Sequence, residues 1–174
     1  MVTIRQEQKN DYRKTEEVIK EAFLKEEFSD KTEHELVKRI RECDAFVPEL
    51  SIVAVDEDIV GHIMLSKITI EQDGTSVESL ALAPVSVARG HQKKGIGGKL
   101  IVAALEKAKE RGYGSVVVLG HPEYYPKFGF KKASEWNIKA PFEVHEEVFM
   151  MMELTENSLR GVEGIVQYSS AFAE

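Results

Sequence analysis

The segment that most restricts how this chain can fold is Gln92-Lys93-Lys94-Gly95-Ile96-Gly97-Gly98-Lys99. It lies between an apolar run ending at Val87 and a helical pattern from Gly97 to Arg111 that stops at Gly112. A strand, a glycine-rich turn and a helix in that order present the helix N-terminus, with its unpaired N–H groups and positive dipole end, beside the strand's carboxyl end. Glycines at 95, 97 and 98 clear side chains from those N–H groups, which makes a phosphate cradle. Charge agrees. From Ser79 to Leu105 there is no Asp or Glu, while Arg89, Lys93, Lys94 and Lys99 fall inside that window. The whole chain carries a formal charge of −7, so a local basic island points to an anionic ligand.

Two better-known phosphate loops do not fit the spacing. A P-loop needs Gly-Lys followed by Ser or Thr, but Gly95 is followed by Ile96. A dinucleotide fingerprint starting at Gly95 needs a third glycine where Leu100 stands, and no early βαβ unit surrounds it.

The remaining pattern gives an ordered set of elements. Val2 to Arg5 reads as a strand, and Asn10 or Asp11 caps a helix carrying Val18, Ile19, Ala22 and Phe23. Glu33 to Cys43 reads as a second helix. Ser51 to Val55 and Ile59 to Ile70 form a hairpin, Glu71 to Gly74 a turn, and Val77 to Val87 another strand. After the Gly97–Arg111 helix, Val116 to Leu119 is a strand apolar on both faces. Phe130 to Ser134 and Val144 to Leu154 read as two more strands, and Gly164 to Tyr168 as a short edge strand. The fold class is α/β (α+β): a mixed, mostly antiparallel central sheet flanked by helices on both faces.

Composition bounds the function. With 174 residues, 43% hydrophobic and 30% charged, one globular domain is expected, and no apolar run approaches the ~20 residues of a membrane span. Residues Met1 to Glu7 lack a signal-peptide core, so a cytoplasmic setting is expected. The acidic balance excludes a general nucleic-acid binder. Cys43 is the single cysteine, so no internal disulfide forms, no Cys/His spacing suggests a metal, and no helix N-terminus or basic partner is evident beside it.

Gln92-x-x-Gly95-x-Gly97 resembles the acetyl-coenzyme A loop of the GNAT N-acetyltransferases, usually Gln/Arg-x-x-Gly-x-Gly/Ala. Downstream, Tyr124-Tyr125-Pro126-Lys127-Phe128-Gly129-Phe130 resembles the family's Tyr-x-x-x-Gly-Phe element, and the element order of residues 1–154 is similar to the family's. Residues 155–174 form a C-terminal extension, expected to pack on the same domain and similar to a tail in a subgroup of uncharacterised bacterial members. The resemblance implies an enzyme that moves an acetyl group from acetyl-CoA to a primary amine by direct attack in a ternary complex. It implies that Gln92, Lys93, Lys94, Gly95, Ile96, Gly97, Gly98 and Lys99 hold the pyrophosphate and that the strand at Val85 and Val87 holds the pantetheine arm. Tyr125, four residues before Gly129, takes the place of the acid that protonates the leaving sulfur, with Tyr124 as its rival.

The general base departs from the better-known members. Ala81 stands where many have Glu, and Glu78 faces the other side on regular alternation. His121 is the candidate base, ahead of His62. The alternative is an acyl-CoA-binding module without catalysis, acting as a sensor or structural partner. The acceptor, a small-molecule or peptide amine, stays open among protein lysine, peptide N-terminus, polyamine and aminoglycoside, and the protein is a monomer or homodimer.

Overall fold

The computed structural model describes residues 1–24, 26 and 29–173; Lys25, Glu27, Phe28 and Glu174, the last residue of the expected extension, lie outside the described residues. Among the described residues nine strands form one sheet: β1 (Thr3–Gln6), β2 (Ser51–Asp56), β3 (Asp58–Gln72), β4 (Thr75–Val87), β5 (Ser115–Leu119), β6 (Lys131–Lys132), β7 (Ile138–Lys139), β8 (Phe149–Glu153) and β9 (Gly164–Gln167). The main order is β1-β2-β3-β4-β5-β8-β6, with β9 pairing both β3 and β7. Only β4–β5 and β7–β9 are parallel. The β3–β4 hairpin turns at Asp73 and Gly74, both at positive φ, as a two-residue primed turn demands.

Among the described residues three helices cover the sheet: α1 (Tyr12–Phe23), α2 (Glu33–Arg41) and α3 (Ile96–Glu110). Side chains alternate along each strand, and that alternation sorts them between two layers. Ile52, Ala54, Leu65, Leu80, Leu82, Val116 and Val118 pack under α3 through Leu100, Ile101, Ala104 and Ala108. Val53 and Met64 face the other way, toward Val18 and Ile19 of α1 and Val37 and Ile40 of α2.

A polar network is buried on the α1–α2 side. Arg41 bridges Glu7 and Glu16 at 2.6 Å each, and Ser51 Oγ lies 2.7 Å from Glu7 Oε1 and 2.9 Å from His62 Nε2. Burying these charges is tolerable because each is paired and hydrogen-bonded.

Two features open the sheet. First, β4 and β5 pair only at Leu80–Val116 and Ala81–Val117; beyond those pairs, the remaining stretch from Leu82 to Val87 has no partner in β5. Second, Ile63 pairs with Val85 but Leu65 with Leu82, so Ala83 and Pro84 together oppose Met64. This bulge re-aims β4 at the point where the strands part.

The chain departs from the sequence reading chiefly in the following places. Pairing of residues 130–134 is confined to Lys131 and Lys132, opposite Met151 and Met150, after which a 3-10 turn at Ala133–Trp136 ends at Asn137 with φ 59°. Residues 144–148 are not strand: Val144 is exposed and Glu146–Val148 form a 3-10 turn, so β8 starts at Phe149. Helix α3 begins one residue earlier than expected, at Ile96. The stretch from Gly164 is not an edge strand, since β9 lies between β3 and β7.

Candidate functional site

At the start of α3, Gly95 adopts φ 80° as N-cap, and the first intrahelical bond runs from Lys99 N–H to the Gly95 carbonyl at 3.1 Å. The N–H groups of Ile96, Gly97 and Gly98 therefore precede the helical ladder, and no side chain caps them. No acid sits in that first turn. A Cβ at Gly95 would meet nothing within 4 Å, so the turn is open to a ligand. Lys93 is held at φ 65°, unusual for a side chain of its shape, and Gln92 Nε2 donates to the Val87 carbonyl at 3.0 Å, tying the loop to the end of β4. The result is a cavity of about 430 Å³ lined by Val87, Gln92, Lys93, Gly95, Ile96, Gly97 and Gly98, with His91, Tyr124 and Lys127 completing the wall. Of the expected cradle residues, Val85, Lys94 and Lys99 lie outside this lining. The Ile96 side chain is buried in the core, leaving its backbone to face the cavity. Bare helix N–H groups and added lysines suit a pyrophosphate.

The tyrosine loop follows β5. The His121 carbonyl accepts the N–H groups of Tyr124 and Tyr125 at 3.1 and 3.3 Å, winding the chain into the 3-10 turn Tyr125–Phe128, which Gly129 ends at φ 111°. The two rings lie edge-on with centroids 5.1 Å apart, but their surroundings differ. Tyr124 reaches the cradle, its hydroxyl 3.6 Å from where a Cβ on Gly97 would stand, and Lys127 Nζ lies 4.1 Å from its ring centre. Tyr125 is buried edge-on to Phe130 at 5.7 Å and against Gly120, where any Cβ would overlap its ring. Burial, with a smaller contribution from Tyr124, pushes the Tyr125 phenol up to about 12. It stays protonated throughout the neutral range.

His121 itself is exposed and lines neither this cavity nor the second one described below. His62 is fully buried in the Glu7–Ser51 network, where desolvation and then Arg41 lower its pKa to about 3. Cys43 packs against the α1–α2 cluster, away from both cavities.

A second cavity of about 510 Å³ opens where β4 and β5 part, on the sheet face opposite α3. Ala81 to Ala83 of β4 and Val117 of β5 form its floor, with Leu119 of β5 at the rim. Its far wall is the C-terminal segment, with Tyr168 and Phe172 rings 5.0 Å apart, and Phe142 nearly parallel to Tyr168 at 6.1 Å. This wall has no counterpart in the sequence reading; the only hint was the cluster of Tyr168 and Phe172 in a stretch without helical pattern. Ala81, the position lacking a carboxylate, lines it with a methyl group. Among the described residues no group of His, Cys, Asp and Glu could hold a metal ion, and no helix is long and apolar enough to cross a membrane.

Comparison with known proteins places this geometry. Residues 3–133 match the family model described as an acetyltransferase (GNAT) domain. The uncharacterized N-acetyltransferase YhbS of Escherichia coli K12 is 30% identical over 154 residues, covering 87% of this chain and 90% of that protein. The uncharacterized N-acetyltransferase YjhQ of the same organism is 36% identical over 128 residues, 71% of each chain. The crystal structure of YhbS in complex with CoA superposes with a TM-score of 0.85 at 27% identity, covering 99% of this chain and 92% of that one. A GNAT family acetyltransferase from Brucella melitensis in complex with acetyl-CoA gives 0.81 at 31% identity, covering 99% and 98%. With the family model spanning residues 3–133, most of its length, and a relative 30% identical over 87% of it, the chain belongs to the GNAT acetyltransferases.

Proposed function

We propose that this GNAT acetyltransferase transfers an acetyl group from acetyl-CoA to a primary amine, by direct attack with both substrates bound. The single observation that carries the reading is the pair of cavities bordering one strand, an anion cradle at Val87 and an apolar cavity at Ala81 to Ala83. Acetyl-CoA supplies the acetyl thioester. The N–H groups of Ile96, Gly97 and Gly98, with Lys93 and Lys127 nearby, hold its pyrophosphate; Lys94 and Lys99 add charge from outside the lining. The β4 backbone from Val85 to Val87, which runs between the cavities, orients the arm that leads to the thioester.

The amine nitrogen bonds to the acetyl carbon, and the carbon–sulfur bond breaks with its electron pair on sulfur. Tyr125 holds the proton that sulfur takes, and regains one from solvent. His121, exposed on the turn before it and lining neither cavity, takes the proton that nitrogen sheds by way of intervening water. Residues 155–173 act as part of the same unit, because β9 pairs with β3 and the following segment walls the acceptor cavity.

The test joins calorimetric titration with acetyl-CoA to an assay of free thiol over a panel of amines. Gly97→Glu keeps room for its Cβ, whose nearest neighbours are at 3.6 and 3.8 Å, but aims a carboxylate at the cradle. Acetyl-CoA should bind the native protein and raise its Tm, and Gly97→Glu should abolish both effects. Equal affinity in the variant would refute the cradle. A protein that binds acetyl-CoA but releases no thiol with any amine would instead be a binding module.

A further inference from the structure

We propose that the acceptor is an aromatic amine already unprotonated at neutral pH, its ring seated against the Phe142–Tyr168–Phe172 wall of the cavity between β4 and β5. The inference rests on the acetyl-transfer reading above and names its acceptor class. Three observations carry it. The wall is aromatic on one side, with Phe142 and Tyr168 nearly coplanar in orientation at 15°, and aliphatic on the other, through Ala81, Leu82, Val117 and Leu119. Its polar groups are all neutral: the Gln167 amide and the hydroxyls of Tyr168, Ser169 and Ser170, the Tyr168 phenol being pushed up to about 12 by burial. Its rim carries Phe142 and Leu119, two of the few large apolar side chains left exposed among the described residues, at 47% and 48%. Exposed apolar groups gathered at a cavity mouth mark a site for an apolar ligand.

Charge then selects the amine. An alkylammonium entering this cavity would lose its hydration and find no carboxylate among the described lining residues to replace it. An arylamine meets neither cost. Its lone pair is delocalised into the ring, so it arrives neutral, and no proton has to be removed before nitrogen attacks the acetyl carbon. The flat ring also gains contact with the aromatic wall.

The isomers 4-methylaniline and benzylamine test this directly, since they have nearly the same size and apolar area and differ in whether nitrogen is protonated. Thiol release is followed for both and for spermidine at neutral pH, with acetyl-CoA affinity measured in parallel. The expected order of kcat/KM is 4-methylaniline, benzylamine, spermidine, with about tenfold or more between the first and last. Phe142→Ala and Leu119→Glu change exposed rim positions and leave the core intact. Each should raise the KM for 4-methylaniline about tenfold while acetyl-CoA affinity stays unchanged, and Leu119→Glu should improve use of benzylamine. Benzylamine or spermidine outrunning 4-methylaniline in the native protein overturns the acceptor class and leaves acetyl transfer standing. Bound acetyl-CoA with no thiol release from any amine overturns both.

Discussion

Deleting only the hydroxyl of Tyr125, as Tyr125→Phe does, leaves the ring that packs on Phe130 and Gly120 in place. If that hydroxyl protonates the leaving sulfur, turnover should drop by about 10²–10⁴-fold with acetyl-CoA affinity nearly unchanged. Tyr124→Phe should do the reverse, weakening acetyl-CoA a few-fold and sparing turnover, because Tyr124 reaches the cradle at Gly97. Turnover of Tyr125→Phe within a few-fold of native at saturating substrates would remove it from the reaction. Cys43→Ala should keep full turnover, as its side chain packs with α1 and α2 away from both cavities; a trapped acetyl-Cys43 would contradict this. At this scale the sequence was legible where spacing is short-range. Gly95, Gly97 and Gly98 act through local backbone, so the uncapped helix start they form follows from their spacing. Spacing to Gly129 favours Tyr125 over Tyr124, but which ring is buried is not written in it, since that depends on Gly120 and Phe130 across the loop.

Among the elements, α3 and β9 set the two walls of the site. Gly164 opens β9 at φ 132°, and a Cβ there would run into the Glu71 carbonyl of β3. Gly164→Ala should therefore loosen β9, costing about 1–3 kcal/mol by thermal or denaturant unfolding. It should also raise the acceptor KM, since Tyr168 and Phe172 follow directly, while acetyl-CoA affinity holds. An acceptor KM equal to native would separate the tail from the site. Strands β1 to β5 and the helices were legible because apolar periodicity alone encodes them. The stretches 130–134 and 144–154 are shorter as strands than their patterns suggest: Phe130 and Ala133 are buried but Ala133–Trp136 turn as 3-10, and Val144 is apolar yet exposed ahead of the 3-10 turn Glu146–Val148. The aromatic wall was illegible, as Phe142 and Tyr168 come from segments whose meeting depends on β9 pairing with β3.

Over the whole molecule, stability should respond to pH through His62. Its folded pKa of about 3 lies below the ordinary 6.5, so the unfolded chain binds the proton more tightly. The stability associated with neutral His62 is fully present above about pH 6.5 and is lost as pH falls toward 3. By about pH 5 the loss from this group is ~2 kcal/mol. His62→Gln should flatten that part of the profile in urea unfolding; an unchanged slope would show that other groups dominate. One further consequence concerns traffic through the enzyme. The cradle lies at the α3 end, while the apolar cavity is walled by a tail whose Ala171 packs with α1 and α2 on the opposite face of the sheet. If these two cavities hold the two substrates as proposed, the ligands approach from different sides, and neither stands in the other's doorway. An acetylated arylamine should inhibit competitively against the amine but not against acetyl-CoA, whereas one molecule joining both halves must thread the parted strands and would hold them like a bolt.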